Sequence, residues 1–161
     1  ALVDSALPAE AIQIINQARQ QGFTGTIIGG NGFKSPAQLT QAAENAEGLI
    51  VSGAWNYDNP TPTESSQQFV EAYEAASEGA RPDQFAAQAY TGTWLVATAI
   101  RCADSVDHAA VNEAFGKIAD METPLGAFTF DETGEPTHDP IAQIVQGGVF
   151  VPLASVAEAS S

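Results

Sequence analysis

The chain has 161 residues, five Lys and Arg against 20 Asp and Glu, and a formal net charge of −15. Nucleic-acid binding needs lysines and arginines gathered against phosphates; Arg19, Lys34, Arg81, Arg101 and Lys117 are scattered, which excludes nucleic acid as a partner and disfavours an anionic membrane surface. The length suits one domain, 44% hydrophobic content suffices for a core, and no apolar run approaches the ~20 residues of a membrane-spanning helix. The chain opens at Ala1 and not at Met, which reads as a processed product or an excised piece.

The first residues, ALVDSA, read as the end of a strand. Pro8 suits the first turn of a helix, and Ile12, Ile15 and Ala18 recur at helical spacing with Gln13, Asn16, Gln17 and Gln20 on the other face. Gly22 is a natural stop, and a strand over Thr26–Ile28 follows, so the opening predicts a right-handed βαβ unit. Gly29, Gly30 and Gly32 then free the backbone around Asn31. A loop of this kind, at the C-terminal end of a strand and before a helix, sits where α/β sheets bind ligands; Asn31 is a candidate ligand-facing residue, with a plain turn residue as the alternative. Ser35 and Pro36 mark the start of a helix to about Glu44, and GLIVSG over Gly48–Gly53 predicts a third, parallel strand.

The pattern then changes. Ala54–Thr63, AWNYDNPTPT, is polar, aromatic and rich in proline. From Glu64 the spacing is helical almost to Met121: Phe69, Val70 and Tyr73 mark one helix, Phe85–Ala103 a longer one, and Val111, Phe115 and Ile118 a third with Asp107 as N-cap. Cys102, the only cysteine, falls in the apolar pattern of the long helix with Leu95, Ile100 and Ala103 and is expected to be buried. Phe128 and Phe130 alternate with polar neighbours, and Asp131–Gly134 reads as a turn. Ile141–Val145 and Val149–Val151 flank Gly147–Gly148 as an antiparallel hairpin. Residues 154–161 are expected to fray.

Four stretches in this order, LPAEAIQIINQARQQGFTGTIIGGNGF, AEGLIVSGAWNYD, AYTGTWLVATAI and GAFTFDETGEPTHDPIAQIVQGGVFVPL, resemble the type I periplasmic solute-binding proteins of ABC transporters, the family of the leucine-isoleucine-valine binding protein. The resemblance implies an α/β fold of parallel βαβ units, helices and a C-terminal antiparallel hairpin, forming part of a two-lobe clamshell of which this chain is the C-terminal portion. It implies that 1–53 and the hairpin at 141–153 belong to the second lobe, and that 64–134 packs on the first. Residues 54–63 and 135–140 would be hinge crossings, and 154–161 a tail. Helices that are amphipathic toward an absent sheet would expose apolar surface; the missing N-terminal portion, or self-association, is the expected cover.

The resemblance also implies site residues. A second-lobe position that is often aromatic maps onto Leu7, and an acid that pairs with the ligand's ammonium maps onto Asn31, so both depart from the amino-acid-binding pattern. An amino acid, a carboxylate, an amide or another small organic solute all remain open. Trp55 and Tyr57, at the proposed hinge, either stack on the ligand or anchor the hinge. Asp131, Glu132, Glu135, His138 and Asp139 cluster in sequence but fit neither a calcium loop nor a zinc pattern; a solvated turn is expected, with no metal and no cofactor. No nucleophile–base pair supports an enzyme. The expected function is the periplasmic or extracytoplasmic solute-binding component of an ABC importer, partnered by a small-molecule solute and an ABC permease. A ligand-sensing clamshell domain of a receptor or regulator is the alternative.

Overall fold

The computed structural model describes residues 1–153, apart from the side chains of residues 36–38. The fraying expected of 154–161 lies outside the described residues. In chain order the elements are β1 (Leu2–Asp4), α1 (Pro8–Gln20), β2 (Ile27–Gly29), α2 (Pro36–Ala42), β3 (Ile50–Gly53), α3 (Glu64–Ala76), α4 (Gln84–Ala103), α5 (His108–Phe115), β4 (Met121–Thr123), β5 (Gly126–Phe130), β6 (Pro136–Thr137), β7 (Ile141–Gln146) and β8 (Val149–Pro152). Short 3-10 turns cover Asn31–Phe33 and Ala43–Ala46. They form two compact units: residues 1–60 with the chain from Pro140 onward, and Thr61–Asp139.

The first unit is built on a five-stranded sheet of order β1-β2-β3-β7-β8. β1, β2 and β3 run parallel, with Asp4 opposite Gly29 and Gly29 opposite Val51, and β7 joins β3 antiparallel through Gly53 opposite Ile141. Gly147 and Gly148, both at positive φ, turn the chain into β8, the backbone that a two-residue hairpin demands. Ala11 and Ile15 from α1 pack with Ile27, Val51 and Val145 from the sheet, together with Phe33, Ala46 and Leu49, all essentially inaccessible. Arg19 closes the turn from α1 to β2: its Nη1 donates to the carbonyls of Phe23 at 2.7 Å and Gly25 at 2.8 Å. Gly22, at φ +82°, makes that turn without strain.

The second unit holds the three long helices, each opened by a side-chain cap. Thr63 Oγ1 accepts from the Ser66 amide, Asp83 Oδ1 from Ala86, and Asp107 Oδ1 from Ala109 and Ala110, satisfying amides that the helix itself leaves unpaired. Leu95 and Ala99 of α4 pack on Ala114 of α5, Ile118 and Phe128. Phe115 and Phe130 meet edge to face at 5.7 Å.

The structure departs from the sequence reading in several places. Cys102 is exposed, not buried. Leu95, Ala99 and Ala103 of α4 belong to the apolar cluster of this unit and Cys102 does not, although it lies only about 60° round the helix from Ala99. Met121 starts a short strand, β4, which the sequence reading did not separate and which pairs with β5. α5 ends at Phe115, short of Ile118. On and after α4, Trp94 and Val96 are nearly half exposed, and Val106 is 79% exposed.

The turn between β5 and β6 is organised by one carboxylate. Asp131 Oδ1 accepts from Thr133 Oγ1 at 2.6 Å, from the Thr133 amide at 2.8 Å and from the Glu135 amide at 3.0 Å. These bonds favour the charged form, the Thr133 hydroxyl foremost, and hold the carboxyl below the ordinary aspartate value. A depressed pKa stabilises the fold above the unfolded carboxyl's pKa, and that contribution is lost as pH falls through the folded value. Thr133→Val is expected to raise the Asp131 midpoint toward that of an ordinary aspartate in an NMR titration of the side-chain carboxyl; an unchanged midpoint would contradict the assignment.

Candidate functional site

Because β1, β2 and β3 are parallel, their C-terminal ends share one edge of the sheet, and the loops that leave it gather the residues singled out from the sequence. The loop after β2 is shaped by a close approach. A Cβ on Gly29 would lie 2.2 Å from Cγ of Phe33, so the Phe33 ring turns back over the strand end and is fully buried. With Phe33 fixed inward, the 3-10 turn leaves Asn31 exposed at its tip. A Cβ on Gly32 would lie 2.8 Å from the Ala6 carbonyl oxygen and 3.7 Å from Cα of Leu7. The glycine loop therefore lies directly on the backbone that enters α1.

Leu7 stands at the N-cap of α1 with extended backbone, φ −78° and ψ 164°. It has no oxygen to cap the helix and is 70% exposed. The structure thus brings Leu7 and Asn31 onto adjoining stretches of backbone, both open to solvent. Trp55 and Tyr57 follow β3 at the same edge and meet edge to face at 6.3 Å. Trp55 is only 3% exposed, while Tyr57 is half-buried.

Three buried polar residues at this edge escape a reading of the sequence. Lys34 Nζ donates to the Trp55 carbonyl at 2.7 Å. Gln143, from β7, donates through Nε2 to the same carbonyl at 3.2 Å. Asn56 Nδ2 donates to Gln143 Oε1 and to the Phe150 carbonyl. Lys34 and Asn56 lie three residues from Asn31 and one from Tyr57, but Lys34 bonds a carbonyl 21 residues away and Asn56 bonds β7 and β8 at 87 and 94 residues, which no local pattern signals. Asp4, itself only partly buried, ends β1 in register with Gly29, and its Oδ2 is buried without a hydrogen-bond partner among the described residues. β1 is a half-exposed edge strand of three residues, so nothing in the sequence around Asp4 signals that its oxygen is buried.

In the second unit, His138 stacks on Phe128 at 5.5 Å, and Asp131 serves its turn. Among the described residues no three His, Cys, Asp or Glu side chains gather as a metal site.

Residues 1–148 match the family model of the periplasmic binding proteins. The chain belongs to that family. It is 30% identical over 135 residues to the Leu/Ile/Val-binding protein homolog 2 of Brucella abortus, an alignment covering 83% of this chain and 35% of the relative. Among solved structures it resembles a leucine binding protein from Thermotoga maritima, at TM-score 0.85 and 27% identity over 93% of this chain and 42% of that one. It also resembles a branched-chain amino acid transporter substrate binding protein from Streptococcus pneumoniae in complex with isoleucine, at TM-score 0.80 and 26% identity over 92% of this chain and 42% of that one. The α/β fold is that of the type I periplasmic binding proteins, and this chain spans about a third of the length of the curated relatives it matches. In this periplasmic binding protein, then, the glycine loop is shaped by the packing of Phe33 and the Ala6 backbone and carries Asn31 at its exposed tip.

Gly29 and Gly30 separate these roles. Gly29→Ala drives a methyl into the buried Phe33 ring and is expected to cost about 1–3 kcal/mol, as overpacking does. Gly30→Ala, with φ −82° and nothing within 4 Å of the new Cβ, is expected to change stability by less than about 0.5 kcal/mol. Equilibrium urea unfolding of both variants measures the difference; equal stabilities would remove the close approach as the loop's determinant.

Proposed function

We propose that this chain is part of the extracytoplasmic solute-binding component of an ABC importer, and that it holds an amino acid or related small organic solute at the C-terminal edge of the β1–β3 sheet. The observation that carries the proposal is the convergence of Leu7, Asn31 and Tyr57 at that edge, in a chain whose relatives are named for binding leucine, isoleucine and valine. Leu7 offers the solute an apolar contact. Asn31 offers an amide that both donates and accepts. Tyr57 offers a ring edge and a hydroxyl, with Trp55 buried behind it as the anchor.

The lobes follow from the same reading. Residues 1–53 and 141–153 form part of the second lobe, 64–134 packs on the first, and 54–63 and 135–140 are the crossings. The separation of the chain into two compact units supports this division. The exposed Trp94 and Val96 support a first lobe completed by residues outside this chain. Closure of the lobes around the solute is the working motion, and the closed form is what an ABC permease receives.

Asn31 sets the balance between ligands. A carboxylate at this position would meet an ammonium through a charge-assisted bond of about twice the strength of a neutral one. The amide accepts an ammonium or donates to a carboxylate without that bias. Calorimetry of the full-length protein against leucine, isoleucine, valine and a panel of small carboxylates is expected to show saturable binding of at least one. Asn31→Asp is expected to tighten amino-acid binding by about tenfold and to weaken binding of simple carboxylates. A folded protein that binds none of the panel would contradict the reading.

A further inference from the structure

The cations of this acidic chain are not equivalent. Lys117 is exposed and pairs with Glu113 on the surface at 2.7 Å. Lys34 is 8% exposed, in the core of the first unit. Burying an ammonium is costly unless its donors are met, so a lysine is a poor choice merely to fill space. Here the Nζ donates to the Trp55 carbonyl at 2.7 Å and lies 5.6 Å from the centre of the Phe150 ring, which offers its π face to the cation.

The Trp55 carbonyl is the junction of a continuous polar path. It accepts from Lys34 and from Gln143, which is fully buried. Gln143 accepts from Asn56, and Asn56 Oδ1 accepts from the Asp58 amide at 2.7 Å. At the other end, the Lys34 amide donates to the Asn31 carbonyl at 3.1 Å. The bonds therefore run from the tip of the glycine loop, through the lysine side chain, to the residues on both sides of Tyr57. An apolar side chain in place of Lys34 could occupy the volume, but would remove the bond that Nζ makes from the loop to the Trp55 carbonyl on the segment leaving β3. The flexible lysine stem can carry a compact charge to a single carbonyl, which the planar guanidinium does with different geometry.

We propose that Lys34 is a positioning residue: it latches the loop after β2 to the segment after β3, and so holds Asn31 and Tyr57 in one arrangement for the solute. The proposal rests on the solute-binding reading for its functional consequence, and on the bonding path alone for its structural one.

Hydrogen exchange of the full-length protein without added solute, together with calorimetry against leucine, isoleucine and valine, separates the two. Lys34→Met keeps the stem and removes the donor. It is expected to speed exchange of the Asn56, Tyr57 and Asp58 amides by about tenfold and to weaken the tightest of the three binding constants by about tenfold, the scale of one lost charge-assisted bond. Lys34→Arg keeps a donor and is expected to restore most of both. Gln143→Leu removes the other donor to the same carbonyl and is expected to act in the same direction by a smaller factor, so the path remains testable if Lys34→Met does not fold. Unchanged exchange in Lys34→Met, or in Gln143→Leu should the former not fold, would overturn the latch. So would arginine failing as fully as methionine, or faster exchange with unaltered affinity. A wild-type protein that binds none of the three amino acids would instead overturn their assignment as solutes, and the exchange comparison would still decide the latch.

Discussion

The arrangement of the first unit depends on one steric constraint: the Phe33 ring occupies the space where residue 29 would carry a side chain. Only glycine permits it. Once Phe33 is seated in the core with Ile15, Ile27 and Val51, the direction of the whole loop is settled. Asn31 is left at the exposed tip, Gly32 comes down on the Ala6 carbonyl, and Lys34, the residue after Phe33, turns inward beside Phe150. A loop that looks permissive in sequence, with three glycines in four positions, is held on one side by packing and on the other by a buried ammonium. Gly29 and Gly32 serve close approach, and none of Gly29, Gly30 and Gly32 is among the positive-φ residues.

That constraint links the hydrophobic core to the sheet edge proposed to hold the solute. Parallel strands bring three chain ends to one side of the sheet, and in a periplasmic binding protein that side carries loops of different character. One offers an apolar side chain at a helix N-cap, one an amide on a glycine turn, and one a tyrosine backed by a buried tryptophan. The polar groups that fix them, Lys34, Asn56 and Gln143, are buried and hydrogen-bonded, as buried polar groups must be if they are not to cost stability. Such networks specify one geometry where apolar packing alone would accept several.

Much of this was legible in the sequence because it is local. Proline at position 8, the helical spacing of Ile12 and Ile15, the Asp107 cap and the Gly147–Gly148 hairpin all express short-range physics, and the structure has each of them. The prominence of Asn31 was legible for the same reason. Other features depend on distant partners. β4 and β6 are strands of three and two residues; neither is long enough to show alternation, and Pro136 argues against a strand until its edge position is known. Cys102 falls seven residues after Leu95, about 20° from it round the helix, so the apolar pattern could not tell it from the buried positions. The network around the Trp55 carbonyl joins positions far apart in the chain, and Asp4 becomes notable only when its buried oxygen is found without a partner.

The central claim is that the solute meets the C-terminal edge of β1, β2 and β3, and amide chemical shifts test it most directly. In a titration of the isotope-labelled full-length protein with leucine, the account predicts saturable shifts at Leu7, at Gly30–Phe33 and at Trp55–Tyr57. Saturable binding whose shifts spare all three loops and fall instead on the helices of the second unit would contradict it.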